Sequence, residues 1–311
     1  MNAPLSAMVD SELSRHDLAG VTTLTLNRPK QYNALSEALL SALQAALDSI
    51  ALDESVRVVV IAANGPAFCA GHDLKEMRED ARRERIAALF AQCSRMMLTL
   101  TALPQPVIAR VQGLTTAAGL QLVAQCDLAI ASDTARFAAS GINLGLFCAT
   151  PAVPLSRNLL RKHALEMLLT GDFIDAATAA EHGLVNRAVP AHLLDVEVAR
   201  LADNIKAKPR EIVAMGKALF YRQVETGLKA AYDDAADVMA CNFMHRDATE
   251  GVAAFIEKRA PHWGSGAGDG EVRGLPSAVH APLSDSITAM RSLAASACST
   301  VSKVATALAL I

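Results

Sequence analysis

Aromatic side chains are scarce in this chain: eight Phe, three Tyr and one Trp make up 4% of 311 residues. A recognition face of stacked rings is therefore not expected, and the core must come from Ala, Leu, Val and Ile. An excess of positive charge is also missing. The 29 Lys and Arg stand against 32 Asp and Glu, for a net charge of −3, so no basic field points to nucleic acid, and only the small clusters Arg28/Lys30 and Lys258/Arg259 offer themselves to the phosphates of a nucleotide-like cofactor. The six cysteines (Cys69, Cys93, Cys126, Cys148, Cys241 and Cys298) lie far apart, and none forms a CxxC. They read as reduced, mostly buried small hydrophobes, and no His/Cys pair has the spacing of a zinc site, so no metal is expected. No uninterrupted apolar run approaches the ~18 residues of a membrane span. Met1 to Gly20 carries Asp10, Glu12 and Asp17 and no apolar centre. It is read as neither a signal peptide nor a mitochondrial presequence, so a bacterial cytoplasmic location is expected and the mitochondrial matrix is disfavoured.

What is present is a chain long enough for one large α/β domain plus an appendage, with 52% hydrophobic residues to fill its core. Val21–Leu26 alternates as a half-buried strand does, and Asn27-Arg28-Pro29-Lys30 breaks it. Ser36 is placed to cap a helix through about Ile50, with Leu39, Leu40, Leu43, Ala46, Leu47 and Ile50 at helical spacing. Val56–Ile61 is a β-branched run suited to a strand covered on both faces. A helix over Glu84–Leu103, a strand over Pro106–Val111, a short buried helix over Ala117–Gln125 and a strand over Asp127–Ala131 follow. Beyond about Pro151 the pattern is mostly helical. Asp175 caps a short helix, 193–208 and 209–223 are amphipathic, and Asp247-Ala248-Thr249-Glu250 reads as a capping box. The order of strands and helices predicts a layered α/β fold. Residues 264–270 read as a flexible linker, and the Ala/Ser-rich stretch 271–311 as a marginal helix or disordered tail.

Two stretches stand out. Ala67-Phe68-Cys69-Ala70-Gly71-His72-Asp73-Leu74 and Gln112-Gly113-Leu114-Thr115-Thr116-Ala117-Ala118-Gly119 are small-residue turns, each following an apolar strand. Turns of this kind bring backbone N–H groups up to a ligand, and two together can aim two donors at one oxygen.

Together with Asn27-Arg28-Pro29-Lys30, Asn33-Ala34-Leu35, Cys126-Asp127, Asn143-Leu144-Gly145 and Phe255-Ile256-Glu257-Lys258-Arg259, these turns make residues 15–263 resemble the crotonase (enoyl-CoA hydratase/isomerase) superfamily. The resemblance implies an α/β fold with a ββα spiral core over 1–205 and a helical trimerisation region over 206–263, assembled as a homotrimer or a dimer of trimers. It implies an acyl-CoA or enoyl-CoA thioester as ligand, with coenzyme A part of the substrate and no permanently bound cofactor. Carried over residue by residue, the two oxyanion donors fall on the N–H groups of His72 and Ala118. Contacts to the coenzyme A thioester are expected from Lys30, Ala34, Ala70, His72, Asp73, Leu74, Ala118 and Lys258, with Lys30 and Lys258 facing phosphates. The two glutamates that move protons in hydratases of this family fall on Gln121 and Gly141. An amide can hold a water but cannot take its proton, and each positioned acid or base is worth about 10²–10⁴-fold. No Asp or Glu lies between Thr134 and Glu166, so a slip of a residue or two does not restore the second glutamate.

Several residues carry two readings. The His72 ring is either an acid/base group or a bystander to its own N–H. Asp73 either contacts ligand or orients its turn. Cys148 is either a nucleophile or a buried thiol without a visible partner. Ser140 and Asn143 either line a pocket or serve the turn. Decarboxylases of the superfamily use a Tyr shortly after Asn-Leu-Gly, where this chain has Leu146-Phe147-Cys148. The expected function is acyl-CoA thioester binding with Gln121 at the reacting end and hydration in doubt. The alternatives are a non-catalytic acyl-CoA sensor or subunit, or a decarboxylase or thioesterase working from the two N–H donors alone.

Overall fold

The structure, a computed structural model, describes residues 11–264; the tail expected over 271–311 and most of the linker lie outside them. Strands β1 (Leu13–Leu18) and β2 (Val21–Leu26) pair antiparallel. Ala19 and Gly20 turn between them with φ +48° and +82°, as a twisted two-residue hairpin requires. Helix α1 (Glu37–Ala51) begins at Ser36, whose hydroxyl accepts the Leu39 N–H at 3.0 Å, and buries Leu39, Leu40, Leu43, Leu47 and Ile50.

Three ββα units follow. The first is β3 (Val58–Ala63), β4 (Ala67–Cys69), the short α2 (Leu74–Glu79) and α3 (Arg83–Ala102). The second is β5 (Val107–Val111), β6 (Leu114–Thr116) and α4 (Ala118–Gln125). The third is β7 (Leu128–Ser132), β8 (Arg136–Ala138), a 3-10 turn at Ser140–Leu144 and α5 (Ala149–Asn158). Helix α6 (Arg161–Thr170), β9 (Ile174–Asp175), α7 (Ala176–Glu181), β10 (Arg187–Val189), α8 (Leu194–Lys206), α9 (Arg210–Gln223), α10 (Leu228–Phe243) and α11 (Arg246–Glu257) complete the described chain.

The first strand of each unit joins a six-stranded sheet in the order β1-β2-β3-β5-β7-β10, parallel except for the opening hairpin. The second strand of each unit joins a smaller sheet, β4-β6-β8-β9. Every residue of β3 is buried, as its unbroken apolar run predicts for a strand covered on both faces. The larger core cluster joins α1, α3 and α4 to the sheets, and a smaller one sets Val58, Val60, Ile108 and Ile130 against Leu194, Val198 and Ala202 of α8. This is the ββα spiral expected from the sequence, with helices following it. Strands β9 and β10 carry too few residues to show a period, and the mostly exposed, polar β1 shows no apolar alternation, so none of the three was anticipated.

The chain divides into two compact units between Asp234 and Ala235. In the second, α11 starts two residues earlier than the sequence suggests. His245 is the cap, its Nδ1 accepting the Asp247 N–H at 3.2 Å. Asp247 instead accepts the Gly264 N–H, and Glu250 takes Arg259 and the His262 N–H, so the expected capping box does not form. The reduced, buried reading of the cysteines holds for Cys69, Cys93, Cys126 and Cys148 but not for Cys241, which is disulfide-bonded.

Candidate active site

β4 and β6 run parallel, with Ala67 beside Leu114 and Cys69 beside Thr115, so the turns after them leave in the same direction. The fit between them is tight. A Cβ placed on Gly119 would lie 2.1 Å from the Cys69 carbonyl oxygen, and one on Gly71 would lie 2.9 Å from Ala117 Cβ and 3.2 Å from Ala118 N. Thr116 Oγ1 ties the turns together by donating to the Ala70 carbonyl at 2.9 Å.

His72 sits in a one-residue bridge with Leu35. The Leu35 N–H donates to the Gly71 carbonyl at 2.7 Å, and the Asp73 N–H donates to the Leu35 carbonyl at 3.2 Å. Successive residues of extended chain alternate sides, so the His72 N–H points away from Leu35. Ala118 is the first residue of α4, where an N–H has no acceptor within its own helix. Among the described residues neither N–H has a hydrogen-bond partner. The start of α4 adds the partial positive charge of a helix N-terminus.

Ala117, just before α4, has φ +49° and ψ −119°. Alanine allows a close backbone approach here without strain only at a negative φ. The condition holds at the helical Ala118 and fails at Ala117, which is held in a conformation usual for glycine.

The groups around these donors are uncharged. The His72 ring packs edge-on to Phe90, with centroids 5.2 Å apart and planes at 89°. Neither buried ring nitrogen makes a hydrogen bond of normal geometry, and burial pushes the imidazole down to about 4 against a weaker opposing contact with the Leu35 backbone. Such a ring is neutral at pH 7 and a weak base. Gln121 lies three residues after Ala118 on α4, is 4% exposed, and its Oε1 has no partner. At Gly141 an added Cβ would lie 2.6 Å from the Leu146 carbonyl oxygen and 2.8 Å from Cys148 Sγ. Cys148 thus stands where a side chain at 141 would begin. Burial pushes its thiol up, which disfavours the thiolate a nucleophile needs. Asn143 Nδ2 donates to the Gly171 carbonyl at 3.3 Å and so serves the turn. Leu144, Leu146 and Phe147 are exposed.

Asp73 caps α2 by accepting the Lys75 and Glu76 N–H groups, and pairs with Arg28 at 3.0 Å. Burial opposes its charge, but the Arg28 hydrogen bond and these N–H groups outweigh it and hold the carboxyl below its usual range. The turn-orienting reading is the one the geometry supports. Ala34 is buried with its carbonyl held by Arg28, the Ala70 N–H donates to Tyr32, and Leu74 is half exposed. Lys30 is exposed on the 3-10 turn Pro29–Gln31. Lys258 is exposed in the second unit, closing α11 with φ +56°.

The sequence treats Arg28 as part of a small basic cluster for phosphates. Its side chain is instead 14% exposed and spent on Glu12, Asp73 and the Ala34 carbonyl. Asn33 was also missed as a structural element. Fully buried at φ +54°, it accepts the Arg28 N–H and donates to the Asn64 and Ala67 carbonyls, each at 2.8 Å. An asparagine next to a proline turn was the available signal, since Asn tolerates left-handed backbone. Among the described residues no three His, Cys, Asp or Glu side chains are grouped to hold a metal, and no helix is long and apolar enough to cross a membrane.

Residues 17–266 match the family model for enoyl-CoA hydratase/isomerase. The chain is 46% identical over 244 residues to the mouse mitochondrial protein called enoyl-CoA hydratase domain-containing protein 3, covering 78% of this chain and 81% of the mouse protein. Among solved structures, an enoyl-CoA hydratase of Mycobacterium smegmatis superposes with a TM-score of 0.80 at 60% identity, over 81% of this chain and 98% of that one. Human enoyl-CoA hydratase domain-containing protein 3 superposes with a TM-score of 0.79 at 45% identity, over 81% of this chain and all of the human chain. The chain belongs to the enoyl-CoA hydratase/isomerase family.

Proposed function

We propose that this protein binds an acyl-CoA thioester through an oxyanion hole formed by the N–H groups of His72 and Ala118, without the proton chemistry of a hydratase. The observation that carries the reading is the pair of unpartnered N–H groups on two turns packed to van der Waals contact. An N–H without a protein partner is left for water or a ligand, and a carbonyl oxygen that gains negative charge satisfies both. Gln121 holds a water or a polar atom of the acyl group beside them. Lys30, Ala34, Ala70 and Leu74 are assigned to the coenzyme A side, with Lys30 at a phosphate; Lys258, in the second unit, is proposed separately as a phosphate contact, and Asp73 is assigned to orienting the turn that carries His72.

Exposed Met239 and Phe243 on α10, and Val252, Phe255 and Ile256 on the last described helix, support assembly as a homotrimer or a dimer of trimers. The 60% identity to a mycobacterial protein supports a bacterial relative, and the cytoplasmic setting is a proposal resting on the sequence reading of Met1 to Gly20. Hydration is expected to be absent because Gln121 and Gly141 offer no carboxylate.

The test is to add crotonyl-CoA to the purified protein and follow loss of the enoyl-thioester absorbance, while calorimetry measures binding. Binding with negligible hydration is expected. Robust hydration overturns the proton accounting, and absence of binding overturns the reading. Ala118→Pro, which deletes the second donor, should abolish binding of the thioester beyond that of free coenzyme A.

A further inference from the structure

We propose that Arg28 is a positioning residue for the His72 N–H and so sets how strongly the thioester carbonyl is polarised. The inference rests on the oxyanion-hole reading above. One guanidinium, mostly buried, makes three directed contacts. Its Nη1 donates to the Ala34 carbonyl at 2.5 Å, its Nη2 to Asp73 Oδ2 at 3.0 Å, and its Nε lies 3.1 Å from Glu12 Oε1.

The first two contacts bracket the donor. Ala34 precedes Leu35, whose N–H and carbonyl grip the peptides on either side of His72, and Asp73 follows His72 directly. A shift of either strand of this bridge turns the His72 N–H. Arg28 spans both, and its own backbone is fixed: its N–H is held by Asn33 Oδ1, and its carbonyl accepts the Gln31 and Asn33 N–H groups. A planar fork can serve two acceptors at fixed angles while a lysine ammonium on a flexible stem cannot. A charge that merely latched the amino-terminal hairpin to the fold would need only Glu12. Here two of the three contacts fall on the residues that aim the donor.

The experiment uses the full chain with 2,4-hexadienoyl-CoA, a conjugated thioester whose absorbance moves to longer wavelength as its carbonyl is polarised. The bound wild type should shift the band. Arg28→Lys and Asp73→Asn should bind the probe within a few-fold of wild type but lose about half the shift. Any thioester turnover should fall about tenfold in kcat with little change in KM, since a misplacement well under 1 Å suffices for that. Glu12→Gln, which leaves the Ala34 and Asp73 contacts in place, should keep the full shift. Lys217→Met serves as a stability control and should lower the melting temperature without changing the shift.

A wild-type shift retained in full by Arg28→Lys and Asp73→Asn overturns the inference and leaves the oxyanion reading standing. A shift that falls with melting temperature across all variants, Lys217→Met included, also overturns it. A wild type that binds the probe with no shift overturns the oxyanion reading itself. If Arg28→Lys does not fold, Asp73→Asn decides alone.

Discussion

Two buried polar clusters in the first unit contrast sharply. At one, Lys217 of α9 donates to the Leu100 carbonyl at 2.8 Å, the Gln105 carbonyl at 3.0 Å and Asp127 Oδ2 at 2.7 Å. Asp127 also accepts the Val107 N–H and the Tyr221 hydroxyl. All three ammonium protons and both carboxylate oxygens are used. At the other, the His72 and Ala118 N–H groups, both His72 ring nitrogens and Gln121 Oε1 have no partner, and the neighbouring Ala117 backbone is strained. Burial makes unmet hydrogen-bonding capacity costly in both places. A saturated cluster is complete as it stands and ties α9 to the sheet. An unsaturated one leaves donors and acceptors open to water or to a ligand. An ion pair fastens each, Lys217–Asp127 at the first and Arg28–Asp73 at the second, but the side chains left without a partner at the second are neutral.

Breaking the saturated cluster should have the largest effect. Lys217→Met leaves the Asp127 carboxylate buried without its cation, and loss of one partner of a buried pair costs about 3–5 kcal/mol. Denaturant unfolding should show that loss. Adding Asp127→Asn to Lys217→Met should recover part of it, because the stranded charge is then gone.

The unsaturated cluster should instead announce itself through pH. The His72 imidazole titrates near 4 in the folded chain against 6.5 in the unfolded one, because burial disfavours its charge. Between these values the unfolded state binds more protons, so stability is complete above pH 6.5 and is lost as pH falls toward 4. The loss should be about 2 kcal/mol, allowing for the partial exposure of the residue. Asp73, whose carboxyl is held low, contributes its own loss only below the usual carboxylate range. His72→Asn keeps the backbone donor and should flatten the slope of denaturation midpoint against pH between 6.5 and 4.

Much of this contrast was legible in the sequence, unevenly. The strands β2, β3, β5 and β7 and the Ser36-capped helix were readable because each shows a strong period or a cap within its own residues. The two turns were readable from small residues placed after apolar strands. Gln121 and Gly141 stood out only through the family resemblance, which implies carboxylates at positions where the sequence has none. The Lys217–Asp127–Tyr221 cluster was not, since about 90 residues separate partners that nothing local connects. Arg28 was misread for the same reason: an arginine beside a lysine looks like a phosphate site until the Asp73 carboxylate, 45 residues away, is seen to hold it. The positive φ of Ala117 was hidden because alanine gives no sign of a conformation it rarely takes.

A third way to test the contrast is to force proton chemistry back into the unsaturated site. Gly141→Glu must push its Cβ against the Leu146 carbonyl and Cys148 Sγ, so it should destabilise the chain by about 1–3 kcal/mol, as overpacking does. Crotonyl-CoA hydration should stay negligible in Gly141→Glu and in its combination with Gln121→Glu. Adding Cys148→Ala relieves the sulfur contact and leaves the carbonyl one, so it should restore only part of the stability. Hydratase activity in the double glutamate variant would show that the Ser140–Leu144 turn yields easily, which its close backbone contacts argue against.

The smallest effect should come from Ala117, and its sign matters more than its size. A non-glycine residue at φ +49° and ψ −119° stores strain on the order of 1 kcal/mol. Ala117→Gly removes that strain but adds freedom to the unfolded chain. The two nearly offset, leaving a net change within about 1 kcal/mol in a melting experiment. Binding should separate what stability cannot. The Ala117 Cβ faces the position that a Cβ on Gly71 would occupy, 2.9 Å away, so it acts as a spacer between the turns. Its loss lets the His72 and Ala118 donors drift, and thioester affinity should fall while the melting temperature holds. Equal falls in both would mean that Ala117 belongs with the saturated cluster as a packing residue. A fall in affinity alone would place its strain on the side of the ligand.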